Sequence, residues 1–203
     1  AGGKSRRLGQ DKAFLDFRGR PLIERVLDAV GEVADDLVIV TNEWEGYREF
    51  GARLVRDIYP GKASLGGIHA GLTAAHHEQA LVVGCDMPFL SIPLLRRMAE
   101  LAEGADVVLP RYEDYIEPLH AIYHKRCLGR MQQLIEAGDL RISRVFQGAP
   151  PCGDGEQKLN IRYLDDSEIL RYDPSRISFL NINTPGDLTR AHEMASRARG
   201  ADG

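Results

Sequence analysis

The opening stretch Ala1-Gly2-Gly3-Lys4-Ser5-Arg6-Arg7-Leu8-Gly9-Gln10-Asp11-Lys12 sets small residues among four cations. Glycines let backbone N–H groups close on an anion, and Lys4, Arg6, Arg7 and Lys12 add charge, which together suit a triphosphate. The pattern is neither G-x-x-x-x-G-K-[ST] nor G-x-G-x-x-G. On composition alone it equally fits a solvated basic turn. Farther along, Cys85-Asp86-Met87-Pro88 ends an apolar run with a single carboxylate. Magnesium takes few protein carboxylates and keeps water and phosphate oxygens, so one well-placed aspartate is enough to hold it. The bland alternative is a capping aspartate before Pro88.

Asn42 and Asp57 each follow a short apolar run, so both are expected at the same sheet edge as Asp86. Guanine presents an N1–H and an amino group, and asparagine and aspartate oxygens are apt acceptors for them. Singly, each also reads as an ordinary turn residue. The glycine-rich loop Pro60-Gly-Lys-Ala-Ser-Leu-Gly-Gly-Ile-His-Ala-Gly71 is a further candidate for phosphate or ribose contact, or else a flexible connection. The six histidines make no H-E-x-x-H pattern, and Ser5 and Ser64 have no G-x-S-x-G context, so neither a zinc site nor a serine hydrolase is indicated.

These residues need a scaffold that gathers strand ends. Leu22, Ile23, Val26, Leu27 and Val30 recur at helical spacing behind Pro21, predicting a helix over 21–33. Short β-branched runs at 37–41, 53–56, 80–85 and 106–110 read as strands, with helices expected over 66–77 and 91–103. Strands alternating with helices imply a three-layer α/β/α fold on a mostly parallel sheet with right-handed crossovers. Ligands in such sheets bind beyond the carboxyl ends of the strands. After Arg111 the pattern loosens into a segment at 118–123, a helix near 125–137 and a Gly/Pro-containing stretch at 148–155. The end reads as a strand at 179–185, a turn capped by Thr184, and a helix over 186–199.

At 203 residues, 43% hydrophobic and 28% charged, the chain supports one core. A single domain over 1–203 is expected, with nucleotide binding over about 1–110 and acceptor binding over about 111–203. A net charge of −4 and a pI near 5.9 give no global attraction to nucleic acid. Cys85, Cys127 and Cys152 form neither a C-x-x-C pair nor an even set, which points to a reducing compartment. No apolar run approaches the ~20 residues of a membrane span and no signal-peptide pattern opens the chain, so a cytoplasmic location is expected.

Taken in order, the residues 1–12, Ser64-Leu-Gly-Gly-Ile-His-Ala-Gly71, Cys85-Asp86-Met87-Pro88, Glu117-Pro-Leu-His-Ala-Ile-Tyr123 and Asn181-Ile-Asn-Thr-Pro185 resemble the molybdenum cofactor guanylyltransferases over nearly the whole chain. The resemblance implies a Rossmann-like nucleotidyltransferase fold of the glycosyltransferase-A type. It also implies transfer of GMP from GTP to molybdenum-molybdopterin with Mg²⁺, giving molybdopterin guanine dinucleotide and pyrophosphate. By that similarity Ala1, Gly2, Gly3, Lys12, Asn42, Asp57 and Asp86 fall on GTP-binding positions, and Asp86 also on the metal. Arg7, with Lys12 and Asp86, falls on a catalytic position, and Asn181 and Asn183 fall near the acceptor. Molybdoenzymes or other cofactor-biosynthesis proteins are the expected macromolecular partners.

Gly2 favours guanine, because the related cytidylyltransferases carry Ala-Ala-Gly where this chain has Ala1-Gly2-Gly3. The family also carries an apolar strand before this loop, so the sequence is expected to be cut short at its amino end. Leu8 replaces a frequent methionine at conserved volume. A molybdopterin cytidylyltransferase, a sugar-phosphate nucleotidyltransferase and a non-catalytic nucleotide-binding delivery module are the competing readings.

Overall fold

A computed structural model describes residues 1, 11–113, 115–147 and 158–200. Of the residues singled out above, Gly2, Gly3, Lys4, Ser5, Arg6, Arg7, Leu8 and Cys152 lie outside these. Helix α1 (Leu22–Gly31) follows Pro21 and buries Leu22, Ile23 and Val26, the stripe its spacing predicts. Strands β1 (Val38–Val40) and β2 (Arg53–Val55) pair in parallel, with Ile39 opposite Leu54. Helix α2 (Ala63–Ala74) then crosses to β3 (Gln79–Val83), and α3 (Ile92–Leu101) to β4 (Val107–Tyr112). Ser91 caps α3 by accepting from Leu94 N, and Pro93 tolerates the first turn because its missing N–H has no helical partner there.

The segment 118–123 holds the main departure from the expected parallel series. Its residues enter β6 (His120–His124), which runs antiparallel between β3 and β4. Having neighbours on both sides, β6 buries His120, Ala121, Ile122 and Tyr123. The short strand β5 (Tyr115–Ile116) folds back on the end of β4, and β7 (Ile161–Leu164) pairs with β4 in parallel. Because β3 and β4 are both antiparallel to β6, their carboxyl ends share one edge of this mixed sheet.

The alternating faces of the sheet build the two outer layers. Val108 and Ile122 pack with Leu94, Leu95 and Met98 of α3 and Ile169 of α6 (Asp166–Tyr172). Val107, Leu109, Ala121 and Tyr123 pack with Leu65, Ile68 and Leu72 of α2, with Met131, Leu134 and Ile135 of α4 (Leu128–Glu136), and with Val145 of α5 (Ser143–Phe146). The fold is therefore a three-layer α/β/α arrangement.

The stretch 179–185 is not a strand. A short 3₁₀ turn, Ile177–Phe179, leads into extended chain whose N–H groups are taken elsewhere: Ile182 N donates to Asp86 O at 2.9 Å, and Asn183 N and Thr184 N donate to Asp187 at 3.0 and 2.8 Å. Thr184 Oγ1 accepts from Asp187 N at 3.2 Å and caps the final helix α7 (Pro185–Gly200), as its sequence predicts. Among the described residues, no helix is long and apolar enough to cross a membrane.

Candidate functional site

The carboxyl edge of the sheet gathers three distant segments. Asp86 stands just past β3, where Gly84 lets its carboxylate fold back: a Cβ on Gly84 would lie 2.7 Å from Asp86 Oδ1. Lys12 Nζ donates to Asp86 Oδ2 at 3.1 Å and also to Asn183 Oδ1. The ammonium and carboxylate are each about one-fifth exposed, so the pair is screened less than a surface ion pair and stays open to a ligand. The backbone bond from Ile182 to Asp86 fixes the segment that carries Asn181 and Asn183 against the end of β3.

Lys12 is placed from its own side by Asp11. The Asp11 carboxylate caps the turn Lys12–Phe14 by accepting from Ala13 N at 3.1 Å, and it accepts the Tyr47 hydroxyl at 2.5 Å. Tyr47 is fully buried, and burial first, then its bond to Asp11, pushes its phenol well above the ordinary range. Ala1 N donates to Val40 O at 2.8 Å, so the start of the glycine-basic loop lies beside the end of β1.

Asn42 and Asp57 meet one another across the ends of β1 and β2. Asp57 N donates to Asn42 Oδ1 at 3.2 Å, and Asp57 Oδ1 accepts from Tyr59 N at 2.9 Å. Arg56 lies over the Trp44 ring, 5.4 Å from its centre, and ties the same two loops together. Helix α2 approaches Asp57 through a glycine: a Cβ on Gly66 would lie 3.0 Å from Tyr59 O and 3.1 Å from Asp57 Oδ1. At the start of that helix Ala63 adopts φ +51, a conformation costly for a residue with a side chain and concentrated at functional loops. The stretch 60–71, expected as a loop, is helical from Ala63 on, and it packs on Asp57 through Gly66.

The sequence reading assigned no role to Glu117, although it opens one of the motifs. It is 4% exposed, with Leu119 N and Tyr115 Oη donating to its two oxygens at 3.2 and 3.1 Å. Burial raises its pKa, and the nearby negative charge of Asp86 acts in the same direction. The like-charge effect marks Glu117 as a neighbour of the Asp86 cluster, which neither its spacing from Asp86 nor its exposed-looking Tyr-Ile-Glu-Pro context discloses. His120, three residues on, is fully buried with no partner for either ring nitrogen among the described residues, and burial lowers its pKa to about 4.

Lys12, Asp86 and Asn183 meet past the end of β3, while Asn42 and Asp57 meet past the ends of β1 and β2, which pair as a separate two-stranded sheet. The sequence profile of the MobA-like NTP transferase domain matches residues 1–152. The chain belongs to this family. It is 37% identical to the molybdenum cofactor guanylyltransferase of Desulfosudis oleivorans, over 98% of this chain and 95% of that one. It is 34% identical to the probable molybdenum cofactor guanylyltransferase of Pelotomaculum thermopropionicum, over 98% and 92%. In structure it resembles molybdopterin-guanine dinucleotide biosynthesis protein A from Archaeoglobus fulgidus, with a TM-score of 0.78 and 30% identity over 97% of this chain and 96% of that one.

Proposed function

We propose that this MobA-like transferase moves GMP from GTP to the terminal phosphate of molybdenum-molybdopterin. The carrying observation is the contact of Lys12 with both Asp86 and Asn183, which joins the expected nucleotide side of the site to the expected acceptor side. The family and the names of its relatives support the substrate pair, and the Lys12 contacts support a common meeting place for the two.

The acceptor is a phosphate monoester and already nucleophilic, so alignment and charge stabilisation carry the reaction. An acceptor phosphate oxygen bonds to the α-phosphorus of GTP in line, the bond from that phosphorus to the bridging oxygen breaks, and pyrophosphate leaves with the electron pair. Lys12 steadies the charge on the α-phosphate and the leaving group. Arg7, outside the described residues, is assigned the same task from the resemblance. Asn42 and Asp57 offer oxygens to the guanine N1–H and amino group, with Ala1, Gly2 and Gly3 closing on the phosphates. Asn181 and Asn183 orient the acceptor.

The residues fit Mg²⁺: the Asp86 carboxylate has one oxygen on Lys12 and the other over Gly84, where any larger residue would intrude. When bound there, Mg²⁺ supplies charge neutralisation on the triphosphate oxygens. The reading assigns the enzyme to the cytoplasm, with molybdoenzymes or other cofactor-biosynthesis proteins receiving the product.

The test is calorimetric titration with GTP, CTP, ATP and UTP in the presence of Mg²⁺, on the wild type and on Asp86→Ala. GTP alone should bind tightly, and Asp86→Ala should abolish turnover while unfolding at nearly the same temperature. A preference for CTP or UTP would shift the reading to a cytidylyl- or sugar-phosphate transferase. Absence of nucleotide binding would refute it outright, as would wild-type turnover by Asp86→Ala.

A further inference from the structure

A cleft of about 230 Å³ is lined by Tyr112, Arg176, Ile177, Phe179, Arg190 and Met194, among others. It is smaller than the ~300 Å³ at which whole-ligand pockets begin, so it takes one part of a ligand. Tyr112 ends β4 at the same sheet edge as Asp86, and Leu180 also lines the cleft. Asn183, three residues past Leu180, accepts from Lys12. Three residues of extended chain span at most about 11 Å, which bounds the backbone separation of Leu180 from Asn183.

We propose that this cleft holds the pterin ring of the acceptor, while the acceptor's phosphate reaches Asp86 and Lys12. This inference rests on the guanylyltransferase reading above and adds where the second substrate sits. A pterin is a flat heterocycle with polar edges and apolar faces. The cleft offers both complements: Ile177, Phe179 and Met194 as apolar surface, and two guanidinium groups that stack on flat rings and donate to their edge oxygens and nitrogens.

Arg176 lines the cleft in a costly backbone conformation. It has φ +53, a left-handed backbone that a glycine would adopt without strain. Its guanidinium pairs with Asp166 at 2.8 Å and lies 5.8 Å from the Tyr112 ring centre, yet its Nε is buried with no partner among the described residues. Buried polar atoms left unpartnered beside a cleft are suited to a ligand's acceptor atom. Tyr112 in turn stacks on Phe179 with ring centres 5.2 Å apart, which fixes the cleft wall.

The test is steady-state kinetics of the full chain with GTP and Mg²⁺ saturating and molybdopterin varied, then the reverse. Arg190→Ala and Arg176→Gly should each raise the KM for molybdopterin about tenfold or more, with the KM for GTP changed less than about twofold. Arg176→Gly relieves the left-handed strain, so its thermal midpoint should stay close to that of the wild type and a kinetic loss cannot be assigned to unfolding. An unchanged KM for molybdopterin in both variants would overturn the assignment, as would equal rises for both substrates. A wild type that binds no GTP would instead remove the underlying guanylyltransferase reading, and the ring site with it.

Discussion

Replacing His120 by phenylalanine should flatten the acid side of the stability profile. The His120 ring is fully buried, 5.1 Å from the Phe179 ring, and neither ring nitrogen has a partner among the described residues. Burial lowers its pKa from 6.5 to about 4. Between those values the unfolded chain binds a proton that the folded chain refuses, so stability falls as pH drops. The contribution is complete above pH 6.5 and is lost as pH falls through about 4. At about 1.4 kcal/mol per pH unit, the loss reaches about 2 kcal/mol at pH 5 and about 3 kcal/mol at pH 4.

His120→Phe keeps a ring against Phe179 and removes the titration, and His120→Leu also removes the titration, with a smaller apolar side chain should the larger ring not fit. Urea unfolding at pH 7, 6, 5 and 4 reads the result. The difference in unfolding free energy between variant and wild type should grow by about 3 kcal/mol from pH 7 to pH 4. Asp36, Asp106, Asp139 and Asp187, whose pKa values are lowered from 3.8, act mainly below this range and cancel in the difference. A difference that stays constant within about 0.5 kcal/mol across that range would refute the buried, neutral histidine.

Two further substitutions test the supports of the site. Gly66→Ala puts a methyl group against Tyr59 O and Asp57 Oδ1. It should raise the KM for GTP about tenfold, about 1.4 kcal/mol of ground-state binding, with kcat little changed; an unchanged KM would remove Asp57 from the nucleotide contact. Tyr47→Phe removes the hydroxyl that Asp11 accepts at 2.5 Å within the core. It should lower stability by about 1–3 kcal/mol in thermal or urea unfolding and reduce kcat through misplacement of Lys12. A loss under about 0.5 kcal/mol would show that Asp11 finds water in its place.

Part of the local structure was legible because it depends on near neighbours in the chain. Thr184 caps α7 through the N–H three residues on, and Gly84 shapes the turn that leads from β3 to Asp86. Spacing and residue type therefore identified the Thr184 cap, and the helix stripe Leu22, Ile23 and Val26 emerged the same way. Motif order along the whole sequence pointed to the family to which the chain belongs.

What the sequence could not determine depends on which distant strands become neighbours. Whether 120–124 runs parallel or antiparallel, and that it divides β3 from β4, is set by pairing across the sheet. The residues 179–183 have the composition of a strand, but their N–H groups are claimed by Asp86 and Asp187, and no ladder forms. The same contacts bring Asn183 onto Lys12, 171 residues away, and fold Leu180 into the wall of the arginine cleft. Glu117 becomes a buried neighbour of Asp86 for the same reason. Hydrogen-bond partners and burial belong to the packed chain, so only the tertiary structure could turn these polar residues into one site.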